Sequence, residues 1–243
     1  MVRVTPRDGV VEIALADPAS GNALGEAMVH ALTTAIGAAG ADATTRVVML
    51  TGDGDTFSAG APATLLAAFA EGRLQPVDIQ LPRVLLECPV PIVAAMDGHA
   101  VGGGFALGLA ADLVLLAREC RYGFTFMNMG FTPGMGTTAL AEHVLSPALA
   151  HELLYTGELR RGDAFHGAGV NAVLPRHEVR ARAHDLAARI AEKPRAALTV
   201  LKRTLSLPRR QAFDAALTLE SLMHQVTLGA PGAAATIQAS YVE

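Results

Sequence analysis

A chain of 243 residues, 51% of them hydrophobic, is long enough to bury one large core. Nineteen Lys and Arg against 23 Asp and Glu leave a formal net charge of -4, and no basic stripe is interleaved with aromatics, so no nucleic-acid partner is expected. Asp, Arg or Pro breaks every apolar run short of the roughly 20 residues a spanning helix needs, which argues against a membrane.

The opening MVRVTPRDGVVEIAL lacks the basic-then-apolar layout of a signal peptide, and Cys88 and Cys120 form neither a disulfide framework nor a metal spacing. A cytoplasmic setting is therefore expected. Residues 2–16 alternate around VRVT and VVEIAL with Asp8-Gly9 between them, which predicts a β-hairpin. Leu24, Met28, Leu32 and Ile36 then recur at helical spacing, with Asn22 placed as the N-cap. VVMLT at 47–51 reads as a buried strand stopped by Gly52-Asp53-Gly54. A second unit follows: a helical region from about Ala63 to Leu86, a strand from Pro91 to Met96, HAVGGG as a turn, and a helix from Phe105 to Ala111. Leu113 to Leu116 supplies a third strand. This alternation predicts an α/β fold with a mainly parallel sheet and a ligand site at the strands' carboxyl ends.

Beyond about residue 147 the pattern becomes helical, over 148–155, 161–168, 178–192, 194–205 and 211–226, with one strand at 170–174. The expected organisation is an α/β core over 1–195 and a helical C-terminal region over 196–243. The tail GAPGAAATIQASYVE is small and polar enough to be partly mobile.

Two turns each join a strand to a helix: FSAGA at 57–61 and Gly102-Gly103-Gly104. Glycine there admits positive φ and close backbone approach. Unpaired N–H groups at a helix entrance also favour developing negative charge. Two readings follow: tight turns that allow close packing, or two halves of an oxyanion hole.

The segments FSAGA, PVPIVAAMDGHAVGGGFALGLAADLVLLAR, YGFTFMNMGFTPGMGTTALAEHVL and LLYTGELRRGDAFHGAGVNAVL, in this order and spacing, closely resemble the crotonase (enoyl-CoA hydratase/isomerase) superfamily. The resemblance implies repeated ββα units, a helical C-terminal region that builds trimers, and acyl-thioester substrates on CoA or an acyl carrier protein. It maps the oxyanion donors to the N–H groups of Ala61 and Gly103. Where hydratases of the superfamily place two glutamates, this chain has Ala106 and Phe126. Neither transfers a proton, so water addition by that route is not expected. An apolar pocket with an oxyanion hole suits a substrate that supplies its own electrons by losing CO₂.

Within the superfamily, GHAVGGGF, MNMGFTPGMGTT, EKPRAALTVLK and His224 in LESLMHQ are similar to the decarboxylating homologues of polyketide β-branching cassettes. The resemblance implies decarboxylation of a 3-methylglutaconyl-type group, with His224 as proton donor and no cofactor beyond the phosphopantetheine that carries the substrate. Those relatives also use a lysine in a variable loop. Here Gln75 is its nearest counterpart, with Arg73 close by, and the only lysines are Lys193 and Lys202.

Asn128 and Thr132 are candidates to orient substrate, and Phe124, Phe126, Met127, Met129 and Met135 form either an apolar wall or ordinary core. His99 is expected to bond the turn backbone, and Asp97 and Asp112 to serve as helix-end or turn partners. Lys202, Arg203, Arg209 and Arg210 form a basic cluster that meets either solvent or an acidic carrier. Alternative activities are a combined dehydratase and decarboxylase, an enoyl thioester isomerase, or a non-catalytic thioester-binding subunit.

Overall fold

The structure, a computed structural model, describes residues 1–74 and 80–240. Strands β1 (Val2–Arg7) and β2 (Val10–Leu15) form the expected hairpin, with Asp8 and Gly9 both at positive φ as a tight primed turn requires. Helix α1 (Glu26–Ala41) lays Met28, Leu32 and Ile36 onto the sheet. Its N-cap is Gly25, so Asn22 is not the cap. Asn22 is instead fully buried at φ 55°: its amide donates to the carbonyls of Asp53 and Thr56 and accepts from the Asp17 N–H.

Strands β3 (Val47–Gly52), β5 (Ile92–Met96), β7 (Leu113–Ala117) and β10 (Ala172–Leu174) extend the hairpin into a six-stranded sheet ordered β1-β2-β3-β5-β7-β10, parallel from β2 onward. Residue patterns did not mark a second sheet, although the repeated ββα units implied by the family resemblance supply its strands. Strands β4 (Thr56–Ser58), β6 (His99–Val101), β8 (Arg121–Gly123) and β9 (Leu159–Arg161) form it in the order β4-β6-β8-β9. β3, β5 and β7 each hand the chain to a short strand of this second layer. His99–Val101, expected as a turn, is thus one of its central strands.

Helices α2 (Ala63–Ala70) and α3 (Leu81–Glu87) lie in the predicted 63–86 region, with α2 ending in a turn at 71–74. Helix α4 (Gly103–Leu109) follows the glycine turn, and α5 (Thr137–Val144), α6 (Pro147–Thr156) and α7 (Arg176–Ala191) come after β8. Residues 161–168 are not helical: β9 pairs with β8, and a 3-10 turn at Gly162–Phe165 drops Phe165 against Phe105 and Tyr122. The two helices expected at 194–205 and 211–226 are one, α8 (Arg195–Thr227), running through Pro208. Tertiary bonds pin it on both sides of the proline: Lys202 holds Asp112, and Arg209 holds the carbonyls of Leu109 and Ala111. The tail expected to be mobile forms α9 (Ala233–Ala239), packed on α2 with Ile237 buried. No helix among the described residues is long and apolar enough to cross a membrane.

Candidate active site

The site lies where the short strands end. In the first turn, Ser58 accepts the Gly60 N–H and donates to the Asn22 carbonyl, while the Leu24 N–H donates to the Gly60 carbonyl. In the second, the Gly102 N–H donates to the Gly123 carbonyl and α4 begins at Gly103. The turns touch. Gly60 has φ +81°, and a methyl group there would lie 2.7 Å from the Val101 carbonyl oxygen and 3.2 Å from the Gly103 nitrogen. Only a glycine at position 60 lets Ala61 and Gly103 flank one cavity.

Ala61 and Gly103 both line that cavity, and Leu66, Phe69, Phe126 and Phe131 give it an apolar wall. His224 is the one titratable side chain among the described residues that line it. It is 6% exposed, and its Nε2 lies 3.0 Å from the Thr132 carbonyl oxygen. A carbonyl only accepts, so Nε2 carries the hydrogen. Burial pushes the imidazole pKa down, and the backbone of Thr132 and Pro133 opposes that shift.

The candidate residues do not all converge. Ala61, Gly103, Phe126 and His224 line the cavity. Ala106 lies one turn into α4, fully buried and outside the lining. Thr132 acts through its backbone, since its hydroxyl pairs with Thr227. Asn128 is exposed and donates to the Gly157 carbonyl rather than facing the cavity. Arg73 is exposed and paired with Glu71, and Gln75 lies outside the described residues. His99 accepts the Arg121 N–H through Nδ1, Asp97 pairs with Arg180, and Asp112 accepts the Ile92 N–H, all structural tasks.

The basic cluster is divided, with Arg203 exposed and Arg210 half-buried while Lys202 and Arg209 turn inward. Lys202 is 3% exposed, with its ammonium on both Asp112 oxygens and the Leu85 carbonyl, and half-buried Arg209 caps the end of α4. Burial lowers the Lys202 pKa while Asp112 opposes the shift. Lys193 pairs with Glu192 at the surface.

Sequence reasoning missed Glu220. Nearly fully buried one turn before His224, it accepts the N–H groups of Gly136 and Thr138 and the Thr138 hydroxyl, thereby capping α5 and bracing the loop under His224. A charged residue on the same helical face as Phe213 and His224 was the available signal.

The enoyl-CoA hydratase/isomerase family model matches residues 5–239. The bacillaene synthase decarboxylase PksI of Bacillus subtilis (strain 168) is 36% identical over 219 residues, covering 90% of this chain and 88% of that protein. The ECH2 decarboxylase domain of CurF from Lyngbya majuscula superposes with a TM-score of 0.92 at 36% identity, covering 98% of both chains. A structure from a dehydratase/decarboxylase enzyme couple involved in polyketide β-branching gives a TM-score of 0.96 at 34% identity, covering 100% of this chain and 99% of that one. The chain is a crotonase-superfamily enzyme and belongs to the enoyl-CoA hydratase/isomerase family.

Proposed function

We propose that the enzyme decarboxylates a carboxylated enoyl thioester of the 3-methylglutaconyl type, carried on an acyl carrier protein in polyketide β-branching. One observation carries the reading: a cavity between two glycine turns whose described lining is apolar except for the backbone, Thr125 and His224. The similarity to decarboxylases of β-branching systems supports the same chemistry. Phe126 and Ala106 leave no carboxylate pair to activate water.

In this reading the thioester oxygen sits between the N–H groups of Ala61 and Gly103. The bond from carbon to the carboxylate breaks, CO₂ departs, and the electron pair passes into a dienolate centred on that oxygen. His224 as imidazolium gives its proton to carbon, and solvent restores it. Free His224 favours the neutral ring, but the anionic carboxylate of a bound substrate shifts the balance back toward imidazolium. We also propose a homotrimer, or a dimer of trimers, built on the exposed apolar side of α8.

The test is mass spectrometry of 3-methylglutaconyl carrier protein and of the matching CoA thioester after incubation with the enzyme. Loss of the mass of CO₂ is expected, faster from the carrier protein. Gain or loss of water alone, or turnover of an uncarboxylated enoyl thioester by isomerisation, would sink the reading.

A further inference from the structure

Met135 takes a backbone conformation that bulky residues rarely adopt. Its φ is +63°, and Gly136 after it is also left-handed at +69°. Strain of that kind persists only where the surroundings over-determine it. Three side chains of α8 do so. A methyl group on Gly136 would lie 2.2 Å from Cδ2 of Phe213, and one on Gly134 would lie 2.8 Å from Cε1 of His224. Glu220 accepts the Gly136 N–H at 2.7 Å, and the Thr137 N–H and hydroxyl both donate to the Gly134 carbonyl. The loop is pinned on either side of Met135.

The side chain between those pins crosses to the glycine turn. A methyl group on Gly103 would lie 2.8 Å from the Met135 sulfur, and Met135 lines the cavity beside Gly103 and His224. A methionine free to move would follow its ligand, because the thioether chain is flexible. This one starts from a fixed backbone.

We propose that Met135 is a specificity-determining residue: its thioether closes the cavity over Gly103 and limits the size of acyl group seated there. The inference rests on reading the cavity as an acyl-thioester site. Mere filling of a core gap would not require a left-handed backbone held from three sides, nor place the side chain against a residue of the oxyanion turn.

Binding of butyryl-, hexanoyl- and octanoyl-pantetheine, which carry no carboxylate to lose, is measured by calorimetry on the wild type, M135A, M135G and M135L. The wild type is expected to favour the short chain. M135A and M135G should move the octanoyl-to-butyryl affinity ratio about tenfold toward the longer chain, equivalent to about two newly buried methylene groups. M135L keeps the volume and should keep the ratio. M135G suits the left-handed backbone and carries the measurement if M135A fails to fold. An unchanged ratio in a variant that melts as a native protein overturns the proposal. Size-selective binding without loss of CO₂ from the carboxylated thioester would overturn the decarboxylase reading instead, and leave Met135 in its role.

Discussion

His224 and Glu220 sit one turn apart on α8, and burial pushes their pKa values in opposite directions. His224 is held below the usual imidazole value of about 6.5, so the unfolded chain binds that proton more readily than the folded one. Its contribution to stability is present above that value and is lost as pH falls below it. Urea denaturation between pH 7.5 and pH 5, as an assay window of about that span, should show the loss, with His224→Gln flattening the dependence. In kinetics, kcat/KM reports the free imidazole and kcat the substrate-bound one. The apparent pKa in kcat should therefore lie above that in kcat/KM, and His224→Gln should remove both and lower the rate about 10²-fold or more. Identical pH profiles for the variant and the wild type would dismiss His224 as the proton donor. Glu220 carries the opposite sign: its pKa is raised, so the stability linked to its proton is present at low pH and is lost as pH rises through the folded-state value. Its hydrogen bonds still matter. Glu220→Ala leaves the N–H groups of Gly136 and Thr138 without their acceptor and should cost about 2 kcal/mol in equilibrium unfolding. His224 was found in the sequence through family likeness, whereas Glu220 and Asn22 were not. Apart from the Asp17 N–H beside Asn22, their partners lie 31 to 84 residues away in chain order, and no local pattern announces such bonds.

At the scale of elements, legibility followed length and periodicity. The hairpin, α1 and α7 repeat a period over enough residues to be recognised, and β3, β5 and β7 are largely apolar runs of five or six residues. Residue patterning alone did not mark the second sheet, implied only by the family's ββα units, because its strands are three residues long and their identity comes from pairing between distant segments rather than from alternation. Arg161–Ala168 was misread for the same reason. Yet the glycine turns at the ends of those hidden strands were legible, because their signal is the absence of side chains. Gly60→Ala tests the junction. The added methyl is strained at φ +81° and collides with the Val101 carbonyl, so the two turns must separate. The variant should lose decarboxylation by about 10²-fold or more, in line with loss of an oxyanion donor, while near-ultraviolet circular dichroism reports whether the rest of the fold survives. Full activity in that variant would contradict the paired-turn site.

At the scale of the whole molecule, α8 has two working sides. Phe213, Glu220 and His224 face the loop before α5, while Leu201, Leu205, Leu219, Leu222 and Val226 run along the helix and are each more than half exposed. These exposed apolar side chains are the surface that the proposed trimer would cover. The wild type should elute as a trimer or a multiple of it, and the double substitution Leu219→Asp with Leu222→Asp should yield smaller species. A wild-type monomer would refute the assembly.

Ala106 has a consequence of another kind. It is wholly enclosed, in a helix whose seven residues are all buried. A glutamate placed at that position would have to displace close-packed neighbours and carry a charge into a fully buried position. Ala106→Glu alone would therefore not create a water-activating site. The packing around Ala106 leaves the proton chemistry of this cavity to His224, and seating a carboxylate at position 106 would require several neighbours to be made smaller at once.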